Sequence, residues 1–255
     1  MNQVNSILGI KISTLNLEET VNFVFESINN EGIILREDIN AFKLSLMKSD
    51  SPITKAFEKS TFINADGASI VLAHRVLFNS RIPRVTGCDL MPALVNRCPE
   101  NKKTIFLLGA TQEVVESLAS KIDTEIGSGV IAGYRNGYFS ESDWSEITKQ
   151  INDSKADFLF VGTPSPQKEN FITSNIENLT SVKFVMGVGG TFDVLSGVTR
   201  RAPEWVQRLG MEWLYRVAQE PKRMWKRYLI CNSKFAALLI KEKFKQLARP
   251  AKQTQ

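Results

Sequence analysis

One carboxylate stands where a loop leaves an apolar stretch of the chain. Asp66 follows the apolar residues of INADG and precedes Gly67 and a stretch with helical spacing, residues 68–78. An aspartate here can cap the helix by accepting hydrogen bonds from its first backbone N–H groups. It can equally act as a general base that takes a proton from an attacking hydroxyl group. Both interpretations stay open, with Glu204, in a predicted solvated first helical turn, as a weaker competitor for the base.

Arginine side chains could neutralise a bound diphosphate. Arg81 and Arg84 lie close to a glycine turn, Gly87. A second basic group lies in the C-terminal quarter on either side of Pro221: Arg216, Arg223, Lys226 and Arg227. Guanidinium groups bind phosphate oxygens through paired hydrogen bonds. An ordinary solvated basic surface is the alternative for both groups.

Two further turns could hold a ligand. The segment GVGGTFD (187–193) begins like a dinucleotide-binding G-x-G-x-x-G, but Phe192 takes the third glycine position, and the acidic residue that should follow is missing. We therefore do not expect an oxidoreductase. Asp193 can contact a ligand near these glycines or only cap a helix. Gln167 and Lys168 begin a predicted helix after a Pro-rich turn, where a helix N-terminus favours anions and polar oxygens.

The composition argues against metal and nucleophile chemistry. His74 is the only histidine, so a Ser/His/Asp or Cys/His nucleophile system would depend on that residue alone. Cys88, Cys98 and Cys231 have neither disulfide-framework nor zinc-site spacing. The chain has no Asp-x-Asp motif to bridge a metal ion to a diphosphate. We expect no metal and no other cofactor, and expect arginines and lysines to neutralise the leaving group.

The elements that must position these residues read as repeated strand–turn–helix units. Short apolar runs, each followed by a turn and a helical pattern, begin near residues 60, 103, 156 and 182. Near-continuous apolar strands are typical of a parallel sheet covered by helices, and ligands bind at the carboxyl ends of such strands. We predict an α/β fold, a Rossmann-like and mostly parallel sheet with helices on both faces, over residues 1–197.

The C-terminal part differs in composition. From Arg200 onward there are fourteen Lys and Arg against four Glu and no Asp, although the whole chain carries a net charge of only +5. Helical spacing runs over residues 204–219, breaks at Pro221 and resumes to about residue 247, with three of the four tryptophans in this stretch. We predict a basic, Trp- and Arg-rich helical appendage, residues 198–255, that meets an anionic membrane surface or a phosphate-bearing ligand.

The sequence predicts neither a signal peptide nor a membrane-spanning helix, because its apolar runs are far shorter than the ~20 residues required. We therefore expect a cytoplasmic protein attached peripherally to the inner face of the cytoplasmic membrane. Two rivals use the same features. A nucleic-acid-binding protein would use the basic tail, with strongly salt-dependent affinity, and a scaffold would bind a nucleotide without catalysis. The acidic α/β part would have no role in nucleic-acid binding, so we expect no nucleic-acid partner.

Together the motifs are more specific than any one of them. The chain resembles the WecG/TagA/CpsF family of bacterial glycosyltransferases over roughly residues 5–230, and the stretch from RAPEW to KRY is its most specific part. The resemblance rests on an ordered set: INADGASIV, RVTGCDL, IFLLGAT, GYRNGYF, VGTPSPQKE, GVGGTFDVLSG, RRAPEW and GMEWLYRVAQEPKRMWKRY. It implies a metal-independent inverting transferase that moves an N-acetylmannosamine-type sugar, or a related hexose or uronic acid, from a UDP-sugar to a polyprenyl-diphosphate-linked glycan acceptor for surface polysaccharide. It leaves a homo-oligomer open.

The resemblance also implies roles for single residues. Asp66, in the DG motif with Gly67, would be the base. The other implied contacts are Asn40, Arg84 and Asp193 in the donor and reaction pocket, Gly109 and Tyr138 along the nucleotide, and Arg216 and Arg223 on the diphosphate with Arg227 in the same basic group. The appendage, residues 198–255, would close over the active site. The chain departs from the family pattern twice. Gln167 and Lys168 stand in PQKE where the family commonly reads P-K-Q-E, so either could take the role of the family's Gln, and Asp38 replaces the Thr of T-P-N.

Overall fold

The chain folds as alternating strands and helices that end in a helical C-terminal part. A computed structural model describes residues 6–30 and 32–248. The strands are β1 (Ser6–Ile7), β2 (Ile10–Lys11), β3 (Ile34–Ile39), β4 (Phe62–Ala65), β5 (Ile105–Gly109), β6 (Ile131–Arg135), β7 (Phe158–Gly162) and β8 (Phe184–Gly187). The helices are α1 (Leu17–Ser27), α2 (Ala41–Leu46), α3 (Pro52–Lys59), α4 (Ala68–Phe78), α5 (Gly87–Arg97), α6 (Gln112–Glu125), α7 (Trp144–Asp153), α8 (Gln167–Asn175), α9 (Thr191–Leu195), α10 (Glu204–Arg208), α11 (Glu212–Gln219) and α12 (Pro221–Ala248).

The central sheet is parallel throughout. Its strand order is β4-β3-β8-β7-β5-β6, and every neighbouring pair runs in the same direction. Strands β1 and β2 form a separate antiparallel hairpin. Because parallel strands all end at one edge of a sheet, the loops after β3 to β8 lie along a common rim. This arrangement confirms the predicted Rossmann-like α/β class.

Helices cover both faces of the sheet, because successive side chains of each strand point to opposite sides. On β5, Ile105 and Leu107 pack into one apolar cluster with α1, α5 and α6, whereas Phe106 and Leu108 pack into another with α7 and α8. A third cluster joins β3 and β4 to α2, α3, α4 and the N-terminal hairpin. The predicted coverage of both faces is therefore confirmed.

The C-terminal helices pack on the α/β part. Phe235 of α12 is buried in the cluster formed by α2, α3 and α4, and the hydroxyl of Ser45 on α2 donates to the Sγ atom of Cys231 at 3.2 Å. Pro221 separates α11 from α12, as predicted. The prediction of a single helix over residues 204–219 was wrong. Gly210 divides it, since its φ of +71° belongs to the left-handed region that ends helices.

The division into parts at residue 197 stays a prediction. Helices α10 and α12 carry buried side chains, namely Val206, Met224, Cys231 and Phe235, and Phe235 packs into the cluster of the body. Lys243 near the end of α12 also donates to the backbone oxygen of Val76 on α4 at 2.8 Å. In the described residues the basic appendage is therefore folded onto the sheet domain.

Candidate active site

The loops after β3 and β4 bring Asn40 and Asp66 together. Asn40 caps α2 by accepting a hydrogen bond from the backbone N–H of Lys43 at 3.0 Å, which fixes its side chain at the rim. Its amide nitrogen Nδ2 then donates to Oδ2 of Asp66 at 3.4 Å and to Oδ2 of Asp38 at 3.4 Å. One amide group thus lies between two carboxylates.

Asp66 does not cap helix α4. The capping position is taken by Gly67, without any side-chain cap hydrogen bond. Gly67 also packs against Asn40, because a Cβ added to it would lie 3.1 Å from the Asn40 Cβ. A larger residue at position 67 would therefore push on the side chain that contacts Asp66. Of the two sequence interpretations of Asp66, the structure removes the cap.

The surroundings of Asp66 favour its protonated form. Burial raises the pKa of its carboxyl group, and the negative charge of Asp38 raises it further. Arg84, Arg36 and the Asn40 hydrogen bond act in the opposite direction but do not cancel these effects. No lysine or arginine side chain that the structure describes lies within ion-pair distance of the Asp66 carboxylate. A carboxylate with a raised pKa is the group expected of a general base.

Beneath this pair lies a buried network of charges. The ammonium group of Lys43, on α2, is 2.7 Å from Glu37, 2.9 Å from Asp38 and 3.1 Å from Glu169. Lys168 approaches Glu169 at 3.4 Å and Asp38 at 4.0 Å. Burial would lower the pKa of Lys43, but the three carboxylates hold it well above its usual range. Lys43 therefore stays charged and fixes the floor of the site.

Sequence reasoning missed most of this network. Strand β3 carries Arg36, Glu37 and Asp38 in succession, and all three are buried. Charged residues inside an apolar-bounded strand are costly unless paired, so three in a row were the available signal. Lys43 and Glu169 carried no such signal, because single charged residues in short helices are usually solvated.

Arg84 ties the rim to the appendage. Its Nε donates to the backbone oxygen of Asp66 at 2.7 Å, and its Nη2 pairs with Glu212 at the start of α11. Glu212 also faces Arg201 at 3.6 Å, and Arg201 pairs with Asp89 at 2.6 Å. The predicted contact of Arg84 with a diphosphate stays a prediction, because in this structure two of its nitrogens bind protein oxygens.

The predicted diphosphate contacts lie on α11 and α12. Arg216 is exposed. Burial raises the pKa of the Cys88 thiol, and the positive charge of Arg216 lowers it by less. Arg201 and Asp66 act on the same thiol. The predicted contact of Arg216 with a diphosphate stays a prediction. The backbones of Arg223 and Arg227 belong to α12, and their side chains lie outside the described residues.

The remaining predicted residues follow the other strands of the rim. Gly109 ends β5, where an added Cβ would lie 2.5 Å from the Gly162 Cα, so no side chain fits there. Tyr138 follows β6 and is 77% exposed. Gln167 begins α8, and its amide donates to the backbone oxygen of Phe139 at 3.4 Å. Asp193 lies in the first turn of α9.

Lys168 lies deeper than Gln167. Lys168 is buried, and its ammonium group would be 3.9 Å from a Cβ added to Gly189 in the loop after β8. Gln167 is only partly buried. Lys168 therefore reaches the floor of the site, whereas Gln167 lies towards β6. Which of the two takes the role of the family's Gln stays open.

Two features named in the sequence have structural explanations instead. His74 is buried, its Nδ1 lies 2.9 Å from the backbone oxygen of Ser80, and its ring packs on Phe78. It therefore does not face the rim. Glu204 is exposed and pairs with Arg208 one helical turn later, so it is not a competing base. Across residues 6–30 and 32–248, no three acidic, thiol or imidazole side chains gather in a way that could hold a metal ion. Metal independence stays a prediction.

The fold and the rim together define an α/β enzyme with a carboxylate base candidate, Asp66, at the carboxyl ends of parallel strands. The family model described as "Glycosyl transferase WecG/TagA/CpsF family" matches residues 5–249. An N-acetylglucosaminyldiphosphoundecaprenol N-acetyl-beta-D-mannosaminyltransferase from Bacillus subtilis (strain 168) is 39% identical over 183 residues, which cover 72% of this chain and 70% of the relative. The chain belongs to the WecG/TagA/CpsF family and is a glycosyltransferase. Membership confirms the resemblance and favours an enzyme over the nucleic-acid-binding and scaffold alternatives.

Proposed function

We propose that this glycosyltransferase moves an N-acetylmannosamine-type sugar from a UDP-sugar to a polyprenyl-diphosphate-linked acceptor, without a metal ion and with inversion at the anomeric carbon. The observation that carries the proposal is the Asp66 carboxylate, which is partly buried at the rim, contacts Asn40 and has a raised pKa. The name of the Bacillus subtilis relative supports the choice of sugar and acceptor. UDP release with a UDP-linked uronic acid or another UDP-hexose would be an alternative outcome of the donor screen described below.

The chemistry is a single displacement. The oxygen of the acceptor hydroxyl attacks the anomeric carbon of the donor sugar, and the carboxylate of Asp66 accepts the proton of that hydroxyl. The bond between this carbon and the diphosphate oxygen breaks, and UDP leaves with the electron pair. Fixed cationic groups can stabilise the developing charge without a metal. We propose Arg216 of α11 for this role, together with Arg223 and Arg227 of α12.

The appendage is the proposed membrane-binding surface. Trp225, Leu229, Ile240 and Phe244 of α12 are 54%, 60%, 58% and 67% exposed. At 100° per residue they fall on one side of the helix, opposite the buried Cys231. Such an apolar face with lysines and arginines around it suits the surface of an anionic bilayer. In the described part of the chain, no helix has the length and apolar composition to cross a membrane. From the apolar and basic surface of α12 we propose peripheral attachment at the cytoplasmic face.

A donor screen tests the transferase proposal. UDP release is measured for several UDP-sugars with a short polyprenyl-diphosphate-linked N-acetylglucosamine acceptor, with and without EDTA. We expect release with UDP-N-acetylmannosamine, no effect of EDTA, and an α-to-β change at the transferred sugar by NMR. Asp66→Asn should lower turnover about 10²-fold or more at similar UDP affinity. Near-normal turnover of that variant would remove Asp66 from the reaction.

Vesicle flotation tests the membrane proposal. The chain should float with vesicles that contain anionic lipid and less with neutral ones, and Leu229→Glu should weaken flotation several-fold. Lys149→Glu, on the exposed part of α7, changes charge away from α12 and should reduce it much less. Equal loss for both variants would mean that net charge, and not the apolar face of α12, controls binding. Size-exclusion chromatography with light scattering settles whether a homo-oligomer forms.

A further inference from the structure

A second carboxylate lies beside the proposed base. Asp38, near the end of β3, is buried, and its two oxygens have different partners. Oδ1 pairs with Lys43 at 2.9 Å, with Lys168 at 4.0 Å and with Arg36 at 3.9 Å. Oδ2 accepts from Asn40, whose amide also contacts Asp66. One side of the carboxylate is therefore held by cations and the other faces the reaction site.

We propose that Asp38 is a positioning residue for the transfer reaction: through the shared Asn40 amide and its own negative charge, it orients Asp66 and increases its basicity. The inference rests on the function proposed above. The geometry supports it because Asn40 is fixed as the cap of α2 and can donate to both carboxylates only while their oxygens face it. A neutral side chain at position 38 would remove one of these constraints and the charge.

The surroundings push the two carboxyl groups in opposite directions. Burial would raise the pKa of Asp38, but Lys43, Lys168 and Arg36 together lower it well below its usual range. Asp66 has no lysine or arginine within ion-pair distance among the described side chains. Arg84 and Arg36 lower its pKa from farther away, but burial and the charge of Asp38 outweigh them and raise it. Two neighbouring carboxyl groups with separated pKa values are the arrangement in which one stays ionised and the other exchanges a proton.

Other charged groups also face Asp66 and must be held constant in any test. Arg36 acts from β3, and Arg84 acts from the loop before α5. Glu212 from α11 pairs with Arg84. The negative charge of Asp66 raises the pKa of the Cys88 thiol in the first turn of α5. A substitution at position 38 leaves all four in place. Since both remaining arginines favour ionised Asp66, loss of the Asp38 charge should lower the pKa of Asp66.

The variant Asp38→Asn tests the inference in the full chain. UDP release is measured as kcat/KM against pH. We expect the acid limb of the profile to move to lower pH, the plateau of kcat to fall a few-fold because Asp66 is a weaker base, and the KM for the donor to stay within about twofold. An acid limb that does not move would overturn the inference. With an unchanged KM, Asp38 would then have only a structural role, and with a higher KM it would contribute to donor binding only.

Asp157→Asn is the matched control. Asp157 is a less buried aspartate that pairs with Lys103 at 3.1 Å, and it precedes β7, at the amino-terminal ends of the strands and away from the rim. We expect this variant to lose stability without any shift of the acid limb. A shift equal to that of Asp38→Asn would mean that general destabilisation moves the profile, which overturns the proposal.

A titration that does not need activity completes the test. Carboxyl ¹³C shifts of the wild-type chain are followed against pH, with Asp66→Asn used to assign the Asp66 signal. We expect Asp66 to titrate at higher pH than Asp38, and the reverse order would overturn the inference even if Asp38→Asn does not fold. Absence of UDP release with every donor, together with the expected titration order, would instead reject the proposed function and leave the carboxylate pair intact.

Discussion

Lys43 gives the sharpest stability prediction, because it is the cation common to the buried network. Its ammonium group contacts Glu37, Asp38 and Glu169 within 3.1 Å, and its side chain is almost completely buried. The substitution Lys43→Met keeps the length of the side chain and removes the charge. Removing one partner of a buried ion pair leaves uncompensated charge and costs about 3–5 kcal/mol.

The measurement is equilibrium unfolding in urea, supported by thermal melting. For a chain of this length a loss of that size lowers Tm by roughly 10 °C. Lys103→Met is the matched control, because Lys103 and Asp157 are paired but 19% and 23% exposed. That variant should lose only about 0–1 kcal/mol. A loss below about 1 kcal/mol for Lys43→Met would refute the view that this lysine compensates the buried carboxylates.

The pH dependence of the same variant gives a second check. Burial opposes ionisation of Asp38 and Glu169, but the cations around them outweigh it and lower both pKa values in the folded chain. Their stabilising contribution is therefore present above about pH 4 and is lost as the pH falls. Without Lys43 the buried carboxyl groups become protonated more readily in the folded state. The deficit of Lys43→Met should be largest near neutral pH and shrink in acid.

Three further predictions concern the appendage. Glu212→Gln should weaken the link to Arg84 and increase the KM for the donor several-fold with a smaller change in stability, which steady-state kinetics and melting together measure. Gly210→Val should lower Tm and activity, since Gly210 has a left-handed φ and an added Cβ would lie 2.7 Å from the Cβ of Ala68 beside the site. Phe235→Ala should cost about 3–5 kcal/mol in urea unfolding, because the ring is buried between α12 and the body.

Each of these predictions has a clear contrary outcome. An unchanged donor KM for Glu212→Gln would show that its pairing with Arg84 does not shape the donor site. Wild-type melting of Gly210→Val would mean that α10 and α11 can move away from α4. A loss below 1 kcal/mol for Phe235→Ala would mean that α12 contributes little to folding, and removal of residues 198–255 would then leave a stable α/β domain.

Much of the fold follows from local patterns in the sequence. Apolar runs such as Phe158–Gly162 predict buried parallel strands, and the turns that follow predict where ligands bind. The break at Pro221 is equally local, because proline cannot donate the hydrogen bond that a continuous helix requires. The division of α10 from α11 was missed, because a glycine inside a helical pattern becomes a stop only where the chain must turn.

The sequence by itself determined the class of fold, the family and the candidate base, since strand periodicity, turn residues and ordered motifs are all written locally along the chain. Only the tertiary structure decided that Asp66 does not cap a helix, that Asp38 shares an amide with it, and that Arg84 pairs with Glu212, 128 positions away. The physical reason is that the order of strands in the sheet brings distant loops to one rim. At this rim, charged residues that are far apart in the sequence form a network in which each charge influences the protonation of the others.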